Sequence, residues 1–127
     1  MTNVRKERMV KTILVVDDSR IVRMMLKDIL TKGGYNVLES ESGRDAIGKY
    51  IDLKPNMVIS DINMPGMNGI EVVKRIKKID PYAIILMCSS EQQEMIIEAL
   101  CAGATDFIPK PFKSDQVIKA VKKVLRN

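Results

Sequence analysis

A chain of 127 residues with 46% hydrophobic and 29% charged side chains can bury one core without staples, and no apolar stretch reaches the ~20 residues of a membrane helix. Its net charge is +5, but three Tyr, two Phe and no Trp give the basic residues little aromatic support for binding nucleic acid. The absence of histidine nearly excludes zinc sites and imidazole catalysis, and two cysteines make no metal-binding pattern.

Residues 1–10 read as a basic N-terminal tail: Arg5, Lys6 and Arg8 face only Glu7 across residues 1–8, and no apolar leader is present, so residence is expected to be cytoplasmic. The run Ile13-Leu14-Val15-Val16 predicts a strand over 12–17 that ends in the acid pair Asp17-Asp18. Ser19 is placed to cap a helix over 19–32, with Val22, Met25, Leu26, Ile29 and Leu30 on one side and Gly33-Gly34 stopping it. A strand over 36–40 and a helix over 44–53 follow, with Pro55 beyond.

Met57-Val58-Ile59-Ser60 predicts a strand over 57–61 ending at Asp61, which opens the loop Ile62-Asn63-Met64-Pro65-Gly66-Met67-Asn68-Gly69. The helix over 69–79 turns Val72, Val73 and Ile76 inward and Lys74, Arg75, Lys77 and Lys78 mostly outward. A strand over 83–89 ends in Ser89-Ser90, and a helix over 91–102 ends at Gly103. A strand over 105–109 leads to Lys110, and Ser114 is placed to cap a helix with Val117, Ile118, Val121, Val124 and Leu125 in its stripe. Met24, Met25, Met57, Met87 and Met95 read as core filler, Met64 and Met67 as packing for the loop after Asp61, and Cys88 and Cys101 as small buried hydrophobes.

Five β-then-α units imply one doubly wound parallel sheet with helices on both faces, expected in the order 2-1-3-4-5. In such sheets ligands bind beyond the carboxyl ends of the strands, where the order reverses, here between strands 1 and 3. Asp17, Asp18 and Asp61 would then crowd together and call for a hard divalent cation such as Mg²⁺. A carboxylate at Asp61 can attack phosphorus, a lysine at Lys110 can neutralise the charge, and Ser89 or Ser90 can donate to a phosphoryl oxygen. Taken singly, each residue reads as a turn former or cap; one suitable side chain at the end of each of four strands makes the signal.

These residues resemble the response-regulator receiver domain, most closely the CheY-like chemotaxis regulators, over 11–126. The resemblance is carried by Ile13-Leu14-Val15-Val16-Asp17-Asp18-Ser19, the stretch Asp61 to Gly69, Cys88-Ser89-Ser90, and Ala102-Gly103-Ala104-Thr105-Asp106-Phe107 running on to Lys110-Pro111-Phe112. It implies a flavodoxin-like receiver over 11–127 with Asp61 as phosphoacceptor and Mg²⁺ held by Asp17, Asp18, Asp61 and the backbone carbonyl of Asn63. It further implies that Ser89 binds the phosphoryl group, that Lys110 pairs with it through a cis Lys110–Pro111 bond, and that Phe107 is an aromatic switch. A sensor histidine kinase would be the donor, and a protein target would dock on the face of helix 4, strand 5 and helix 5, with a flagellar switch protein as the expected target.

Two departures from the family pattern stand out: Pro109 before Lys110, which makes strand 5 an edge strand, and a stretch between Ser89 and Gly103 one residue shorter than in chemotaxis members. The chain reads as a stand-alone receiver, with a phosphorelay intermediate or a receiver excised from a larger regulator as alternatives. An aspartyl-phosphate phosphatase would need its nucleophile on strand 1 and its acid pair later. A flavin binder would need a hydroxyl- and glycine-rich loop where Asp17-Asp18 stand.

Overall fold

Ile13, Leu14, Val15 and Val16 point alternately to the two faces of one strand and all four are buried, which demands a helical layer on each side. The computed structural model, which describes residues 10–90 and 93–125, supplies both layers. In chain order the elements are β1 (Thr12–Val16), α1 (Arg20–Lys32), β2 (Asn36–Ser40), α2 (Gly43–Leu53), β3 (Met57–Ser60), α3 (Gly69–Ile79), β4 (Ile85–Ser89), α4 (Gln93–Ala102), β5 (Asp106–Pro109) and α5 (Ser114–Leu125). All pairings are parallel, and the sheet order is β2-β1-β3-β4-β5, as expected. Leu14, Val16, Val58, Ile85 and Met87 face α2, α3 and α4 across one core; Ile13, Val15, Met57, Ile59, Leu86 and Cys88 face α1 and α5 across the other.

β2 spans the predicted residues; the other four strands are shorter than predicted, and the shortening has a local cause. Asp17 and Asp61 lie just beyond the ladder at the ends of β1 and β3, where they open loops. β4 begins at Ile85, because the Ala83 N–H is spent on the Asp80 carbonyl in a turn. The basic tail, residues 1–10, lies outside the described residues apart from Val10, as do residues 91 and 92 of the predicted fourth helix.

Caps set the helix ends. Ser19 accepts from the Val22 N–H at 3.3 Å, Ser42 from Asp45 at 3.2 Å and Asn68 from Glu71 at 3.0 Å. Ser114 is not the cap of α5: it is the first helical residue. The Lys113 carbonyl instead accepts from Val117 at 3.1 Å, and the Gln116 side chain reaches back to the Lys113 N–H at 3.2 Å.

Met24 and Met25, expected in the core, are 56% and 48% exposed. α1 buries only Leu26 and Leu30, one turn apart, with Val22 and Ile29 half-buried beside them, so its apolar stripe is narrower than the sequence suggested. Cys101 is also exposed, because α4 buries Ala99 alone, whereas Cys88 is buried in β4 and its thiol is pushed up to about 12 by that burial. β5 is an edge strand that stops at Pro109, opposite Ser89. The Lys110 N–H turns inward to the Ser89 carbonyl at 3.1 Å, and that of Phe107 is taken by the Asp106 side chain at 2.8 Å.

Candidate functional site: an acidic pocket at the carboxyl edge

β1 and β3 are neighbours with Val16 opposite Ser60, and the Asp61 N–H donates to the Val16 carbonyl at 2.9 Å. The loops leaving both strands therefore start side by side. Asp17, Asp18 and Asp61 each offer a carboxylate oxygen, all within 4.8 Å of one another. Asp17 and Asp61 are buried, at 2% and 8% exposure, while Asp18 is open to solvent.

Lys110 enters from the end of β5. Its ammonium lies 2.8 Å from Asp17 Oδ2 and 3.5 Å from Asp61 Oδ1. Ser89, buried at the end of β4, runs beside it through the backbone bond already described, whereas Ser90 is exposed. The Lys110–Pro111 bond is cis, as the resemblance implied.

Hydrogen bonds divide the work among these acids. Asp17 is fully engaged, with Oδ1 accepting from the Ser19 N–H at 2.9 Å and Oδ2 held by Lys110. Asp61 Oδ1 accepts from the Ile62 N–H at 2.9 Å; among the described residues its Oδ2 takes no hydrogen bond or ion pair. Burial pushes the Asp61 carboxyl above the usual carboxylate range and the nearby Asp17 charge adds to that, while Lys110 and the Ile62 N–H pull the other way without cancelling it. Burial alone would weaken the Lys110 ammonium, but its bond to Asp17 and the charge of Asp61 prevail and hold it above its usual value.

Three carboxylates facing one ammonium leave the pocket with surplus negative charge. An all-oxygen donor set, with one member open to water, fits a hard cation. Gly69 lets α3 start against the backbone that carries Asp61: a Cβ there would overlap the Asp61 carbonyl oxygen and come 2.8 Å from Ile62 Cα.

A model of the response regulator receiver domain matches residues 13–122. The chain belongs to this family. The receiver is 55% identical over 116 residues to the chemotaxis protein CheY of Thermotoga maritima, covering 90% of this chain and 97% of that one. To CheY of Bacillus subtilis it is 50% identical over 119 residues, covering 92% and 99%. The CheY of Borrelia burgdorferi, crystallised in a complex with CheX, BeF3 and Mg²⁺, superposes with a TM-score of 0.87 at 31% identity, covering 91% of this chain and 89% of that one. The receiver is thus a CheY-like response regulator of chemotaxis, a module of phosphorylation-based signalling. Its acid pair on β1 and single acid on β3 are the reverse of what a phosphatase of the considered type requires.

Of the residues singled out from sequence, the receiver brings together Asp17, Asp18, Asp61 and Lys110, with Ser89 at the same edge. Asn63 is exposed in the loop two residues past Asp61. Phe107 stands apart: 37% exposed on β5, it lines a cavity of about 250 Å³ with Gln116, Lys119 and Lys123 of α5. Two residues with a bearing on the pocket escaped the sequence reading, Gly69 and Arg23. Gly69 ended a recognised loop but gave no sign of its close approach, and Arg23 was not singled out, since its sequence position shows no link to the acid pair.

Proposed function

We propose that this receiver is switched by phosphorylation of Asp61, using Mg²⁺ held by Asp17, Asp18, Asp61 and the backbone carbonyl of Asn63. The observation that carries the reading is the pocket itself, three carboxylates within 4.8 Å of one another with the Lys110 ammonium between two of them. The donor is a sensor histidine kinase; this chain has no histidine, so the phosphohistidine belongs to the other protein. Asp61 Oδ2, the less engaged oxygen, attacks phosphorus; the new P–O bond forms as the P–N bond breaks, and the imidazole nitrogen leaves with the electron pair. Bound Mg²⁺ supplies charge neutralisation for the phosphoryl oxygens. Lys110 supplies a second cation and Ser89 a hydroxyl donor.

The added group brings nearly two negative charges and three acceptors. Ser89 and its loop close on them, and the Phe107 ring moves to fill the space vacated, repacking the face of α4, β5 and α5. That face carries exposed Ile97, Leu100 and Phe107, with Lys119, Lys122 and Lys123 beside them, and suits an apolar, acidic protein target such as a flagellar switch protein in the cytoplasm. Residues 11–127 act as one receiver and residues 1–10 as an appended tail.

A direct test is incubation of the chain with Mg²⁺ and a small phosphodonor, followed by mass measurement of the intact protein. The parent gains one phosphoryl group, it gains none when EDTA is added before the donor, and Asp61→Asn gains none. Equal labelling of Asp61→Asn would overturn the assignment.

A further inference from the structure

Asp18 is the exposed member of the acid cluster, and among the described residues its carboxylate takes no hydrogen bond or ion pair. Its place beside Asp17 and Asp61 is therefore set by its backbone. The peptide that precedes it, joining Asp17 to Asp18, is gripped by one side chain. Arg23, one turn into α1, donates from Nη1 to the Asp17 carbonyl oxygen at 2.6 Å. Its Nε donates to Glu39 Oε1 on β2 at 3.3 Å, and the Arg23 side chain is only 12% exposed. Glu39 is held in turn by the Lys27 ammonium at 3.6 Å from Oε2, while Lys49 donates to its carbonyl. On the other side of the same residue, the Asp17 N–H donates to the Ser40 carbonyl at 3.1 Å. The strand next to β1 thus pins Asp17 twice, once directly and once through the guanidinium.

Resting on the metal reading of the pocket, we propose that Arg23 is a positioning residue: by fixing the Asp17–Asp18 peptide it aims the Asp18 carboxylate into the cation site. Charge alone argues for the opposite effect. A guanidinium beside three carboxylates repels an incoming cation, and Glu39, paired to Arg23, offsets that repulsion. Arginine suits the task because its planar fork reaches two acceptors at once, which a lysine ammonium on a flexible stem does not hold together.

The two roles predict opposite signs, so a Mg²⁺ titration of the whole chain followed by amide chemical shifts decides between them. If Arg23 positions Asp18, Arg23→Gln raises the Mg²⁺ Kd by roughly 10-fold, the lower end of what losing a hydrogen bond behind a metal ligand costs. Labelling of Asp61 at saturating Mg²⁺ then stays near the parent rate. If Arg23 is only a nearby cation, Arg23→Gln tightens Mg²⁺ binding, as the surface control Lys32→Gln, an exposed cation of α1 outside this network, does slightly. Arg23→Lys, which keeps charge and stem, repeats the test should the glutamine variant fail to fold, and a weakening of about 3-fold is expected from the lost second bond. An unchanged or lower Kd in either folded variant overturns the role of Arg23, and so does an equal weakening in Lys32→Gln. If the parent chain itself takes up no Mg²⁺, the metal reading falls first.

Discussion

Lys110 divides its ammonium between Asp17 and Asp61, and the closer contact is to Asp17. Asp61 is left with more burial than compensation, and its carboxyl lies above the usual range. A carboxyl raised in this way stabilises the fold only at acid pH, and that contribution is lost as pH rises through its folded value. Near neutral pH it is a liability, so Asp61→Asn is expected to raise the thermal midpoint by roughly 2–5 °C in EDTA, with the gain shrinking under acid conditions. Calorimetry across that pH range checks it, and a lowered midpoint at neutral pH would contradict the electrostatic account. At this scale the four charged residues of the pocket were legible because each ends a strand, and strand ends can be read from apolar runs. Arg23 and the exposed Met24 and Met25 were not, since helical periodicity gives a side but not how wide the neighbours make it.

The elements were legible where burial is two-sided. β1, β3 and β4 are continuously apolar because helices cover both faces, and their pairing order follows from one reversal at β1. The last residues of β1 and β3 were placed one too far, because Asp17 and Asp61 still donate their N–H groups to the neighbouring strand while their side chains already accept from the loop amides of Ser19 and Ile62. The junction of β3 and α3 shows how tightly such an end is built. Gly69 starts α3 against the backbone of Asp61 and Ile62, where no Cβ fits. Gly69→Ala must push the helix start away from β3, and a loss of about 2–3 kcal/mol is expected in urea unfolding, the upper part of the range for overpacking. Gly48→Ala, whose Cβ would meet nothing within 4 Å, is the matched control and is expected to be neutral or stabilising. Equal losses at both positions would show that close approach is not what matters at Gly69.

Across the whole molecule, the places proposed for phosphoryl chemistry and for partner docking lie apart, at the carboxyl edge between β1 and β3 and on the outer face around β5. Linkage ties them: a target that prefers the repacked face must favour phosphorylated Asp61 by the same factor. Phe107 is the side chain proposed to carry that coupling, and its resting place, 37% exposed beside α5, leaves it free of the acid pocket. Phe107→Ala is therefore expected to label at the parent rate while the ratio of target affinities, phosphorylated over unphosphorylated, falls roughly 5-fold or more toward unity. Calorimetric titration of a target peptide with and without phosphodonor measures it, and a preserved ratio would remove Phe107 from the switch.

The margin of the sheet at β5 has a further effect. Lys110 sends its amide inward, Asp106 occupies that of Phe107, and Pro109 has no amide hydrogen to give. The proline also ends the ladder with β4 at Ser89, so the open margin is the four residues Asp106–Pro109, which offer an added strand few rungs. Strand-to-strand stacking of copies has little to hold it there, and the apolar surface beside that margin stays exposed.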